Sequence, residues 1–230
     1  MVIGASSIEG APSFAGWQHS SWIGVRSRRR ALMSSSNLIR WSGLAAIAGG
    51  VSLAIAELVS LSFFGYDFSR TATTSTYALF SLLIMITGVL LPLGLVGLYA
   101  RQSEVSGPLG LVGFVVAFVG TMLVAGFFWT SAFVAPVLAV EAPELLAVRS
   151  LPGFFRSFIV FGLGWLLFGV ATLRAGVYPR VAAVLLVVGA VLIVIPLPLT
   201  GVVLAVAVAW MGYVLFRGRG TPAERPERVR

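Results

Sequence analysis

Cysteine and lysine are absent from this chain of 230 residues, and there is a single histidine, His19. Without thiols there is no disulfide, no thiolate nucleophile and no thiolate metal site, and one histidine cannot build a histidine cluster. No metal site is expected and no cofactor is implied. The familiar catalytic signatures are missing too: no Gly-x-Ser-x-Gly elbow, no phosphate loop, no histidine-containing metal motif and no pair of carboxylates at membrane depth. A serine or threonine nucleophile would lack a base, because His19 lies outside the apolar part of the chain. Catalysis is not expected. Charge is also scarce, at 10% of residues against 58% apolar residues. That is too little polar side chain to cover a water-facing surface.

What charge there is leans to one sign, with 16 basic and 8 acidic residues and a net charge of +8. Every basic residue is arginine, a bias that fits a GC-rich bacterial genome. The arginines sit in the tails and between apolar runs, so they read as topology signals and no nucleic-acid partner is expected. Apolar runs of about the 20 residues needed to cross a bilayer occupy residues 41–64, 77–99, 109–138 and 153–175. A fifth run, 181–216, is far too long for one crossing at about 1.5 Å per residue. Pro196-Leu-Pro198 divides it into spans 181–195 and 199–216.

These runs predict an all-α, polytopic transmembrane bundle of six spans with the lipid bilayer as its first partner. Arg26, Arg28, Arg29, Arg30 and Arg40 precede the first span, Arg101 follows the second, Arg174 and Arg180 join the fourth and fifth, and Arg217, Arg219, Arg225, Arg228 and Arg230 follow the sixth. The positive-inside rule places all of them, and both termini, in the cytoplasm of a bacterial inner membrane. The intervening loops carry Asp67 with Arg70, then Glu141, Glu144 and Arg149, as an outer side should. Residues 1–36 read as a disordered tail, with Met33 as a candidate initiator; 37–217 form the transmembrane domain and 218–230 a disordered basic tail. Ser27-Arg-Arg-Arg-Ala-Leu32 and Ala54-Ile-Ala56 partly match a twin-arginine signal and its cleavage site, but the apolar run continues beyond the cut through Leu58, Val59 and Leu61. Residues 139–152 contain Glu141, Pro143 and Glu144 before an apolar stretch, the pattern of a short helix with proline and acid in its first turn.

Small residues are regularly spaced in two spans. Gly43, Ala46, Gly50 and Ala54 form a stripe in the first, and Gly201, Ala205 and Ala209 form one in the last. Lipid gives helices no hydrophobic reason to associate, so close backbone approach through such stripes supplies much of the contact. The next step of three beyond Ala54 lands on Glu57, which therefore belongs on a packed face. A carboxylate at the centre of a span costs about 2.5–3.5 kcal/mol on insertion scales and pairs, protonates or lines a wet cavity. At matching depth lie Arg156, the expected ion partner, and Trp129, Thr130 and Ser131. Two roles follow for this candidate polar site: a proton or cation acceptor in an outward-facing cavity, or a structural group held by Arg156 or by a hydroxyl. Arg156 has an alternative of its own, as a side chain snorkelling to the outer interface.

Two segments resemble one another. Gly88-Val-Leu-Leu, with Leu98-Tyr-Ala-Arg101 and Gly107-Pro-Leu-Gly110, parallels Gly164-Trp-Leu-Leu, with Leu173-Arg-Ala-Gly176 and Tyr178-Pro-Arg180. A parallel repeat of helix pairs would produce this, and so would shared composition. The run from Gly162-Leu-Gly-Trp-Leu-Leu-Phe-Gly to Tyr178-Pro-Arg180 and the following Val-Ala-Ala-Val, with residues 33–50 at the other end, resembles uncharacterised six-helix bacterial membrane proteins. That resemblance implies a fold and no activity. Two functional classes follow: an accessory protein that packs against a second copy or another membrane protein, or a small-solute or ion transporter with Glu57 in its path.

Overall fold

The computed structural model describes residues 18–63, 65, 71–146, 152–195 and 197–218, with side-chain surroundings from residue 37 onward. Residues 1–17, Asp67, Arg70, Arg149, Pro196 and the tail from 219 lie outside the described residues. Two units are present, Met1–Asn37 and Leu38–Arg230. In the first, residues 18–36 are helical, where composition suggests a disordered tail. No glycine or proline falls between Arg26 and Trp41, so nothing in the covalent chain interrupts a helix there.

Among the described residues all regular structure is α-helix: α1 (Gln18–Ser60), α2 (Ser75–Phe133), α3 (Ala135–Glu141), α4 (Pro143–Leu146), α5 (Pro152–Ala175), α6 (Arg180–Leu192) and α7 (Thr200–Phe216). α2 is two helices in succession. Gly107 has φ 58° and ψ −161°, a conformation open essentially to glycine alone, and Pro108 follows at the start of the next helix, where its missing N–H costs nothing. The resulting arms, 75–106 and 108–133, fold back on each other, and a Cβ at Gly88 would overlap that of Ala125. Pro92 lies within helical dihedrals, so the break falls at the glycine and not at the mid-span proline. The second arm stops at Phe133, short of the expected 138. Pro136 lacks the N–H that would continue the ladder, and the chain restarts as α3 with this proline in its first turn. α4 opens with Pro143 and carries Glu144 in its first turn, as its sequence requires.

Successive helices in the second unit are antiparallel neighbours. Gly113, Ala117 and Gly120 of α2 meet Phe168, Gly164 and Phe161 of α5; Gly162 and Gly169 of α5 meet Ala190 and Val187 of α6; Gly189 of α6 meets Leu204 of α7. α7 then closes on α1. A Cβ at Gly43 would lie 2.9 Å from the carbonyl oxygen of Gly212, and one at Gly50 would lie 2.5 Å from the carbonyl oxygen of Ala205 and 2.9 Å from Cβ of Ala209. Ala46 is fully buried between Gly94 and Gly212. The two small-residue stripes therefore meet each other, first helix against last.

The bundle is greasy on the outside and partly polar within. Leu44, Val51, Ile55 and Leu58 of α1, and Leu79, Leu82, Ile86, Val89 and Leu93 of α2, are exposed, whereas Ser81, Thr87, Gln102, Thr121 and Thr172 are buried. Apolar exposure on this scale marks surfaces that a membrane or a protein partner covers. Three helices are long and apolar enough to cross a membrane, Asn37–Ser60, Ser75–Phe133 and Phe155–Ala175, and two shorter apolar helices are Arg180–Leu192 and Thr200–Phe216. At about 1.5 Å per residue α6 and α7 reach roughly 20 and 26 Å, somewhat under a 30 Å hydrocarbon core.

The helix pairing also sorts the charges. Arg40 lies at the start of the apolar part of α1, Arg101 in the last turns of the first arm of α2, Arg174 in the last turn of α5, Arg180 opens α6 and Arg217 caps α7, so antiparallel packing gathers all five at one end of the second unit. Glu141, Glu144 and Arg156 belong to the opposite end.

Candidate functional site: a carboxylate at the start of the last helix

α7 begins without help from its own sequence. Its N-cap residue is Leu199, which has no side-chain acceptor and sits in the left-handed region at φ 67°, ψ 1°. For a branched residue that conformation costs about 1–3 kcal/mol. The chain is forced into it by the tight reversal from α6, in which Ile195 N–H donates to the carbonyl of Leu192 (2.9 Å) and the Thr200 hydroxyl donates to that of Leu197 (2.9 Å). The first amides of any helix lack intrahelical acceptors.

Glu57 supplies the acceptor from α1. Its carboxylate lies against the start of α7, within reach of the backbone N–H groups of Gly201 and Leu199. The side chain is half-buried against α7, and a Cβ at Gly201 would overlap Oε1 and come within 2.8 Å of Cδ. Glycine at 201 is thus what lets the carboxylate reach the backbone. Negative charge at a helix N-terminus is also favoured by the macrodipole, by about 0.3–1 kcal/mol and up to 2 where partly buried. The Ser60 hydroxyl donates to Glu57's own carbonyl at 2.6 Å, which steadies the last turn of α1.

The other residues grouped with Glu57 on sequence grounds are not brought to it. Arg156 stands exposed in the first turns of α5, and the partners of the Glu57 carboxylate are backbone amides in place of the expected guanidinium. Trp129 and Thr130 face outward, and the Thr130 hydroxyl turns back to the carbonyl of Gly126 (3.2 Å). Ser131 alone of that trio points inward, where it bonds the hydroxyl of Tyr77. The reason is helical phase: adjacent residues are about 100° apart, so three in a row span about 200° and cannot all point inward. An aromatic cluster joins the end of α1 to α2 and α5. Phe63, Tyr77, Phe80, Phe128 and Phe158 form a chain of edge-on and tilted contacts with centroids 5.1–6.5 Å apart.

A second polar cluster lies at the arginine-rich end, and sequence reasoning missed it. Gln102 is fully buried; its amide donates to the Thr172 hydroxyl (3.0 Å), which donates to the carbonyl of Phe168 (2.8 Å). The Tyr178 hydroxyl donates to the carbonyl of Leu98 (3.1 Å), with the Arg101 guanidinium 5.7 Å above its ring. Burial pushes the Tyr178 hydroxyl well above its ordinary value, and the nearby positive charge of Arg101 opposes this in part. These bonds tie the Gly107 reversal to the α5–α6 turn. The available signal was Gln102 itself, an amide directly after the arginine that ends an apolar run. Trp165, unlike exposed Trp41 and Trp129, is fully buried and donates to the Thr121 hydroxyl at 3.2 Å.

Among the described residues no group of three or more histidine, cysteine, aspartate or glutamate side chains is placed to hold a metal ion. Comparison with protein-family models, curated proteins and solved structures finds no match to this chain.

Proposed function

We propose that this chain is a six-span integral protein of a bacterial cytoplasmic membrane, with both termini in the cytoplasm, and that it acts without catalysis as an interaction or accessory protein. The observation that carries the topology is the gathering of Arg40, Arg101, Arg174, Arg180 and Arg217 at one end of an antiparallel bundle. Both arms of α2 count as spans, as do the short α6 and α7, which tilt little and thin the bilayer around them. The accessory role rests on what Glu57 is engaged in. Its carboxylate is engaged with the backbone at the start of α7.

The small-residue stripes of α1 and α7 are spent inside the bundle, so a partner helix has to approach another face. Gly126 and Thr130, one turn apart on the outer side of α2, offer such a place: a Cβ at Gly126 would meet nothing within 4 Å. Affinity purification from detergent, followed by mass spectrometry, tests the role, with wild type compared against Gly126→Leu. A specific co-purifying membrane protein or second copy that is lost in the variant supports it. A solute that shifts the melting of wild type but not of Glu57→Gln would instead establish transport and overturn it.

A further inference from the structure

A cleft of about 360 Å³ opens at the arginine-rich end, between the α5–α6 turn and the last turns of α7. Val177 and Pro179 form one wall, Trp210, Tyr213 and Val214 the other, and Arg217 closes one end. The Arg217 guanidinium lies 4.4 Å above the Tyr213 ring, which leaves the outer edge of its fork for an acceptor. Arg174 and Arg180 bracket the turn that carries Val177 and Pro179, and all three arginines are exposed. Among the described residues no carboxylate lines the cleft.

We infer that this cleft binds an anionic phospholipid, its phosphate against Arg217 and the first carbons of one acyl chain along Val177, Pro179 and Val214. The inference rests on the membrane topology proposed above. Charge complementarity selects the occupant. The cleft is apolar along its length and cationic at its mouth, which matches a molecule that is apolar along its length and anionic at one end. Its depth agrees as well, because Trp210 and Tyr213 are residues of the kind that settle at the headgroup level, and Arg217 caps a helix C-terminus, the end at which backbone carbonyls favour a cation. Arginine presents a planar fork of donors that suits a phosphate better than an ammonium does. The cleft's volume is at the small end of ligand sites, enough for a headgroup and part of one chain. The remaining chain length lies along the exposed apolar surface.

The test uses the full-length chain in detergent, exposed to equal amounts of phosphatidylglycerol and phosphatidylcholine with identical acyl chains, with retained lipid read by native mass spectrometry. Wild type is expected to retain phosphatidylglycerol preferentially. Arg217→Gln is expected to cut that retention about fivefold, the equivalent of one arginine near a headgroup. Val177→Trp and Val214→Trp fill the cleft without altering charge and are expected to cut it comparably. Arg156→Gln, an arginine lost from the opposite end, should leave it unchanged. Equal retention of both lipids, or a loss on Arg217→Gln with none on either tryptophan variant, overturns the inference, the second result assigning the effect to diffuse surface charge. Recovery of the chain from cells without detergent would overturn the membrane topology itself, an outcome separate from either of these.

Discussion

The contact between Glu57 and Gly201 makes a quantitative demand on two substitutions. Glu57→Ala removes the acceptor of two backbone amides at the start of α7; loss of an N-cap costs about 0.5–2 kcal/mol, and amides left without a partner in lipid carry this to about 2–3 kcal/mol. Gly201→Ala acts on the same contact from the other side. The new methyl occupies the position of Oε1 and sits 2.8 Å from Cδ, so the carboxylate has to leave. The cap is then lost, offset by up to about 1 kcal/mol from replacing glycine in a helix, for a net cost of roughly 1–2 kcal/mol. In the Glu57→Ala background the nearest remaining atom to the methyl is the tip of Ile193, at 3.1 Å from Cδ1. That flexible end can give, and Gly201→Ala becomes neutral or slightly stabilising. The coupling energy is therefore about 1–3 kcal/mol in magnitude, inside the range seen for residues in contact. Reversible unfolding of the four proteins by SDS in mixed micelles, followed through the buried Trp165, measures it. If Gly201→Ala costs the same with and without Glu57, to within about 0.5 kcal/mol, the carboxylate is not what caps α7.

Three further outcomes are expected. Gly50→Ala forces its methyl against the carbonyl of Ala205 and the Cβ of Ala209, so α1 and α7 must separate, at about 1–3 kcal/mol for overpacking a filled contact. Gly126→Ala, with nothing within 4 Å, should leave unfolding in detergent unchanged or slightly harder. The Tyr178 hydroxyl is held above its ordinary value of 10.0 by burial. A raised value means that the folded state keeps its proton where the unfolded state gives it up, so the stability is whole below pH 10 and declines as pH climbs beyond it. Tyr178→Phe, which lacks the proton, should show a shallower decline over that range in the same micelle titration; parallel curves would refute this.

Much of the helical layout was legible because its determinants are local. The division of the run 181–216 at Pro196-Leu-Pro198 needs only the fixed φ of proline and a length argument, and α6 and α7 begin and end within a few residues of the expected limits. The reversal at Gly107-Pro108 was legible for the same reason. The stripes were legible as packed faces, yet nothing in their spacing says that Gly50 meets Ala205 and Ala209, because pairing first helix with last is a property of the whole bundle. The site was half-readable. Spacing put Glu57 on the packed face of α1, but charge logic sought its partner among side chains, and Arg156 was the nearest at that depth. The partner is backbone, and backbone amides leave no letter in a sequence. What marked them was an omission, Leu199 in the place where a serine, asparagine or aspartate would have capped α7 from within.

The closure of α7 on α1 has a consequence for how the chain is made. Synthesis proceeds from α1 at about 5–20 residues per second, so Glu57 and the glycine face of α1 wait roughly 7–30 s before Gly201 and Leu199 exist to meet them. Through that interval the Glu57 carboxylate lacks the α7 backbone that it later packs against. A chain truncated before Thr200 would leave it so permanently. The contact between α1 and α7 is thereby the latest of the described helix contacts to become available.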